Sequence, residues 1–101
     1  MAFEIVFSSI AEIQFTEAIE WYEKEKRGLG ERFFYTVQDA LDKIRDNPET
    51  YRERYHNIRM ILTKKFKYCV YYEILEHEIR IHAVLHAKQD RSDILQKLIL
   101  E

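Results

Sequence analysis

The chain has 101 residues, enough for one domain with a thin stability margin, and at 47% hydrophobic and 14% aromatic it is too apolar for a disordered segment. The single cysteine, Cys69, excludes an internal disulfide, and no apolar run nears the ~20 residues of a spanning helix. Net charge is −2 and by itself names no partner.

Phe3, Ile5 and Phe7 alternate with polar or smaller neighbours, the pattern of a half-buried opening strand. Ser9 and Glu12 make a capping box that should start a helix. Ala11, Phe15, Ala18 and Tyr22 then form an apolar stripe, widened by Ile19, with Glu12, Glu17, Glu20 and Glu23 largely outside it. Gly28 and Gly30 bracket a break. A second helix is expected from about Glu31 to Arg45, with Phe33, Val37, Ala40, Leu41 and Ile44 inward. Asn47-Pro48 ends it, because a residue before proline disfavours the helical region.

Strands should follow at Ile58–Leu62, Phe66–Leu75 and Ile79–His86, the last with Ile79, Ile81, Ala83 and Leu85 facing one way. Lys64-Lys65 and Glu76-His77 mark the turns between them, without the glycine that tight hairpins favour. Asp90 or Ser92 can cap a short final helix through Leu100, with Ile94, Leu95, Leu98 and Ile99 as its apolar positions. The expectation is one α+β domain over residues 1–101. An N-terminal strand and an antiparallel helical hairpin pack on a mostly antiparallel sheet of about four strands, followed by a short C-terminal helix. No signal peptide is visible, and with one cysteine and no span the expected location is the cytoplasm.

Charge is unevenly spread. Residues 1–50 hold 6 Lys/Arg against 11 Asp/Glu, and residues 51–101 hold 10 against 7. Between Arg52 and Lys67, six cations face only Glu53. Such a division suits either two faces with different partners or a solvated sheet face with inter-strand ion pairs.

The run Lys65 to Ile74, a short turn, and Ile79 to His86 together resemble the C-terminal half of RelE/ParE toxins, in the ParE-like branch that includes plasmid stabilisation proteins. Arg59 matches that branch's Arg-bearing strand, Phe66–Ile74 its aromatic strand, and Val84-Leu85-His86-Ala87-Lys88-Gln89-Asp90 its histidine-ended strand with a polar follow-on. The opening strand, helical hairpin and Asn-Pro break occur in the family in the same order. The resemblance implies a type II toxin held inactive by a cognate antitoxin, as a heterodimer or heterotetramer, with no cofactor. One branch cleaves messenger RNA on the ribosome. The ParE branch poisons DNA gyrase instead.

Metal-free RNA cleavage needs groups to activate a 2′-hydroxyl, to steady charge on phosphorus and to protonate the leaving group. Arg59, Lys65 and Lys67 can hold phosphates, and His86 at the strand end is the catalytic candidate. His82 and His86 should share a face about 13 Å apart, too far to work on one phosphate. The resemblance also exposes departures. Lys88-Gln89-Asp90 stands where RNA-cleaving relatives carry an arginine, Ile94-Leu95 where they carry a tyrosine, and Cys69 at a strand position often occupied by arginine. The balance is therefore against an enzyme and for a gyrase-directed toxin. A ribosome-dependent endoribonuclease and a non-toxic antitoxin-binding module are the alternatives. Arg59, Lys65, Lys67, His86, Lys88, Gln89 and Asp90 are the candidates for target or phosphate contact. Tyr68, Tyr71 and Tyr72 read as sheet packing, and Trp21 as helix packing or a partner contact. Four scattered histidines and one cysteine offer no metal-ligand spacing.

Overall fold

A computed structural model describes residues 3–89. Strand β1 (Glu4–Phe7) leads into helices α1 (Ser9–Glu25) and α2 (Leu29–Asp46), a 3-10 turn (Pro48–Thr50), and strands β2 (Glu53–Tyr55), β3 (Ile58–Leu62), β4 (Tyr68–Ile74) and β5 (Glu78–His86). The sheet order is β1-β5-β4-β3-β2; only the β1–β5 pair is parallel. The sheet thus has five strands rather than about four. The unforeseen one, β2, is three exposed residues and carries no alternation to read. The final helix expected from Asp90 or Ser92 lies outside the described residues.

The hairpin follows the sequence stripes. Phe3, Ile5 and Phe7 from β1, Ala11, Phe15, Ala18, Ile19 and Tyr22 from α1, and Phe33, Val37, Ala40, Leu41 and Ile44 from α2 all join one core against the sheet. The α1 cap is Ser8, not Ser9. Its hydroxyl accepts from the Ala11 N–H (3.1 Å) and donates to the His82 carbonyl (3.3 Å). That second bond, to β5, is what favours Ser8 over its neighbour.

Helix α2 begins at Leu29, before the expected Glu31, because Glu23 of α1 supplies the cap. Its carboxylate accepts from the N–H groups of Gly28 (3.0 and 3.1 Å) and Gly30 (3.0 Å), satisfying donors that a helix start leaves open. Gly28 takes a left-handed φ of 87° to make the corner. Gly30, inside the helix, permits close approach: an added Cβ would meet the Ile19 carbonyl oxygen at 2.6 Å and Glu23 Cβ at 3.0 Å. Gly30→Ala should therefore cost about 2 kcal/mol of overpacking despite alanine's better helix propensity, read as a lower urea midpoint at unchanged slope.

The sheet has two apolar faces. Val70 and Tyr72 of β4, Ile61 of β3, and Ile79, Ile81 and Val84 of β5 point to the helices. Ile58 and Met60 of β3, Cys69 and Tyr71 of β4, and Ala83 and Leu85 of β5 form a second buried cluster on the opposite face. Strand β5 therefore does not keep Ile79, Ile81, Ala83 and Leu85 together. Tyr71 pairs with Ala83 but Tyr72 with Ile81, so His82 is an extra residue in the ladder. A bulge of this kind moves every later side chain to the other face. It also separates the two histidines: His82 meets Glu73 on the outer face (2.9 Å), while His86 meets the Tyr68 ring on the helix side.

The β3–β4 connection spans Thr63 to Lys67, longer than the Lys64-Lys65 pair, and β4 starts at Tyr68 rather than Phe66. Phe66 and Lys67 hold positive φ values of 66° and 53° without being glycine. The buried Thr63 closes the turn, donating to the Lys65 carbonyl (2.6 Å) and accepting from the Tyr68 N–H (3.0 Å). Phe66 is thereby aimed into the core, where its ring meets Tyr22 and Phe33.

Candidate functional site

The residues singled out from the sequence fall into three places. At the end of β5, His86 packs edge-on against Tyr68, with ring centroids 5.4 Å apart. Its Nδ1 accepts the Lys88 backbone N–H at 3.0 Å, and its own N–H donates to the Gln89 side-chain oxygen at 2.7 Å. The Lys67 carbonyl accepts from the Ala87 N–H (2.8 Å), which brings the β3–β4 turn alongside. Lys67, His86, Lys88 and Gln89 are thus assembled at one corner. Asp90 lies outside the described residues. The Lys88 N–H thus occupies the Nδ1 lone pair of His86, which leaves that nitrogen unavailable as a base in this arrangement.

Arg59 is elsewhere and otherwise employed. Its guanidinium donates to the carbonyls of Tyr51 (2.6 Å) and Glu49 (3.2 Å) and lies 3.8 Å from Glu53, with 21% of the side chain exposed. It ties the 3-10 turn to the sheet and is not presented to a phosphate. Lys65 stands in a third place, a cleft of about 430 Å³ between α2 and the β3–β4 turn, with Lys43, Lys64, Asp39 and Tyr51 around it. The sequence reading overlooked Lys43, since nothing in an amphipathic helix announces which of its charges will face a turn.

The tyrosines behave as packing residues. Burial raises Tyr68 to about 12, with Tyr22 nearby adding to the shift. Burial likewise raises Tyr72 to about 12 against the opposing pull of Arg59, and its hydroxyl donates to the Pro48 carbonyl at 2.6 Å. Neither phenol is a proton acceptor near neutral pH. Tyr71 lies in the outer-face cluster beside Cys69, which is 0% exposed. The position that the resemblance gives to an arginine is therefore buried in an apolar cluster. Among the described residues no group of three His, Cys, Asp or Glu side chains converges as metal ligands would, and no helix is long and apolar enough to cross a membrane.

Residues 5–91 match the family described as the ParE toxin of the type II toxin–antitoxin system parDE. The chain belongs to the ParE toxin family. The ParE-family fold is echoed by two solved structures of low identity. The toxin–antitoxin system ParDE from P. aeruginosa aligns with a TM-score of 0.64 at 12% identity, covering 85% of this chain and 97% of that one. A mutant of the E. coli toxin RelE in the free state aligns with a TM-score of 0.61 at 15% identity, covering 99% and 97%. No curated protein matches the sequence. For this ParE-family chain the two neighbours speak to fold alone, since one is a ParE system and the other a RelE. The membership does carry a protein partner, because the family is the toxin half of a toxin–antitoxin pair.

Proposed function

We propose that this ParE-family protein is a toxin that acts by protein–protein contact on DNA gyrase in the cytoplasm. Its cognate antitoxin neutralises it in a heterodimer or heterotetramer. The observation that carries the reading is the outer sheet face. RNA cleavage by this fold would want free cations there; the centre of the face holds Ile58, Met60, Cys69, Tyr71, Ala83 and Leu85, all buried, and Arg80 at its margin is paired with Glu78. The remaining machinery points the same way. Arg59 is committed to two backbone carbonyls, His86 Nδ1 is occupied, and the Tyr68 and Tyr72 phenols keep their protons. An RNA-binding surface also depends on phosphate contacts, which a chain of net charge −2 supplies sparsely.

Expression without antitoxin should arrest growth and accumulate gyrase–DNA cleavage complexes, with purified protein inhibiting supercoiling. His86→Ala should change none of this by more than about twofold, as a surface substitution outside any catalytic step. Unaffected supercoiling together with cleaved messages on translating ribosomes would replace this reading with the endoribonuclease one. Normal growth alongside a stable antitoxin complex would leave a binding module of the same fold.

A further inference from the structure

Helix α1 carries two apolar faces, and the fold uses one. Ala11, Phe15, Ala18, Ile19 and Tyr22 pack inward. Ile13 and Trp21 are each 57% exposed, and Ile10 is 39% exposed. A helix returns to the same side every three or four residues, so Ile10, Ile13, Glu17, Trp21 and Lys24 lie along one outward strip. That spacing is the seam of a helix built to receive another helix. Ile13 and Trp21 stand about 12 Å apart along it, two turns, the usual distance between successive anchors. Trp21 leans edge-on against Tyr22 with centroids 5.0 Å apart, so its ring is braced by a core residue while it faces outward.

The charges beside the seam select the partner. Glu17 lies in the strip and Glu20 and Glu25 flank it, all exposed, against Lys24 alone. A second copy of this acidic helix would bring like charges together, which disfavours self-association through this face. A helix with an apolar row flanked by Lys or Arg satisfies both features. The outward face is set apart from the β5 corner, since α1 meets the sheet through its opposite side.

We infer that the outward face of α1, anchored by Ile13 and Trp21, is the docking seam for a basic amphipathic helix of the antitoxin. This rests on the antitoxin partnership proposed above and adds to it the surface and the chemistry of the segment bound. Charged residues set the approach and Trp21 the residence time, since steering acts on association and a desolvated aromatic anchor acts on dissociation.

Trp21 is the sole tryptophan, which makes the test direct. Protein labelled with 5-fluorotryptophan gives one fluorine resonance, to be followed while the cognate antitoxin is titrated in. The expected result is a shifted resonance that loses its H2O/D2O solvent isotope effect in the complex. Trp21→Ala should weaken binding roughly 30-fold, and Glu17→Lys with Glu20→Lys should slow association roughly tenfold at low salt, both with native circular dichroism. A complex that forms while Trp21 keeps its solvent isotope effect overturns the seam and leaves the partnership standing. No complex at all overturns both. A resonance moved by gyrase but not by antitoxin overturns the assignment of the occupant.

Discussion

Replacing Cys69 with arginine should abolish folding rather than create an RNA-cleaving face. The side chain is 0% exposed between Ile58, Met60, Tyr71, Ala83 and Leu85, on a central strand flanked by β3 and β5. An arginine there would bury a cation with no carboxylate among the described members of the cluster to meet it, a cost of several kcal/mol after relaxation. That is comparable with the whole stability of a small domain, about 5–15 kcal/mol. Cys69→Ala removes one sulfur atom from the same spot and should remain folded, with a lower melting temperature. Soluble yield and thermal circular dichroism of the two variants check this. A Cys69→Arg protein that melts like the parent would mean the face can take a cation, and the case against RNA chemistry would lose its main support.

Phe33→Ala should cost about 4 kcal/mol, the range for removing a fully buried phenylalanine. Phe33 is 0% exposed and holds four rings together across the hairpin and the sheet. Its centroid lies 5.9 Å from Phe15, 5.0 Å from Tyr22, 5.3 Å from Phe66 and 4.7 Å from Tyr68. Two of these come from α1, one from the β3–β4 turn and one from β4, so the cavity would loosen three connections at once. Tyr68 in turn supports His86, and the β5 corner should lose order with the core. Urea unfolding monitored by circular dichroism measures the loss. Trp21→Ala provides the contrast, since an exposed ring on the same hairpin should leave the urea midpoint nearly unchanged.

The hairpin was legible because its inward residues repeat at helical spacing over about three turns in each helix, and no later contact alters which side they face. The sheet was less so. Nothing in Ile81-His82-Ala83 marks a bulge, because the extra residue is defined by the partner strand's register and not by any glycine. The Phe66–Lys67 turn likewise uses positive φ at residues that seldom adopt it, held there by Thr63 from within the turn. The spacing to Glu12 pointed to Ser9 as the cap, and Ser8 takes the role because its hydroxyl also meets β5. At the site, the packing role of the aromatic strand agrees with the sequence reading. Arg59 does not. A basic residue on a strand looks available for phosphate until the carbonyls of Glu49 and Tyr51 are seen to occupy it.

The parallel β1–β5 pair gives the chain a temporal order. Residues 4–7 pair with residues 78–81, so the edge of the sheet cannot close until more than seventy further residues have followed β1. Joining ends so far apart costs on the order of 4 kcal/mol in chain entropy, recovered only when β5 is in place. The α1–α2 hairpin and the β3–β4–β5 meander are local and can form earlier, whereas β1 must wait. Ser8 waits with it, since one of its two bonds goes to His82 on β5. A nascent chain emerging from the ribosome therefore holds the start of α1 unanchored until residue 82 has been made and β5 has joined the sheet.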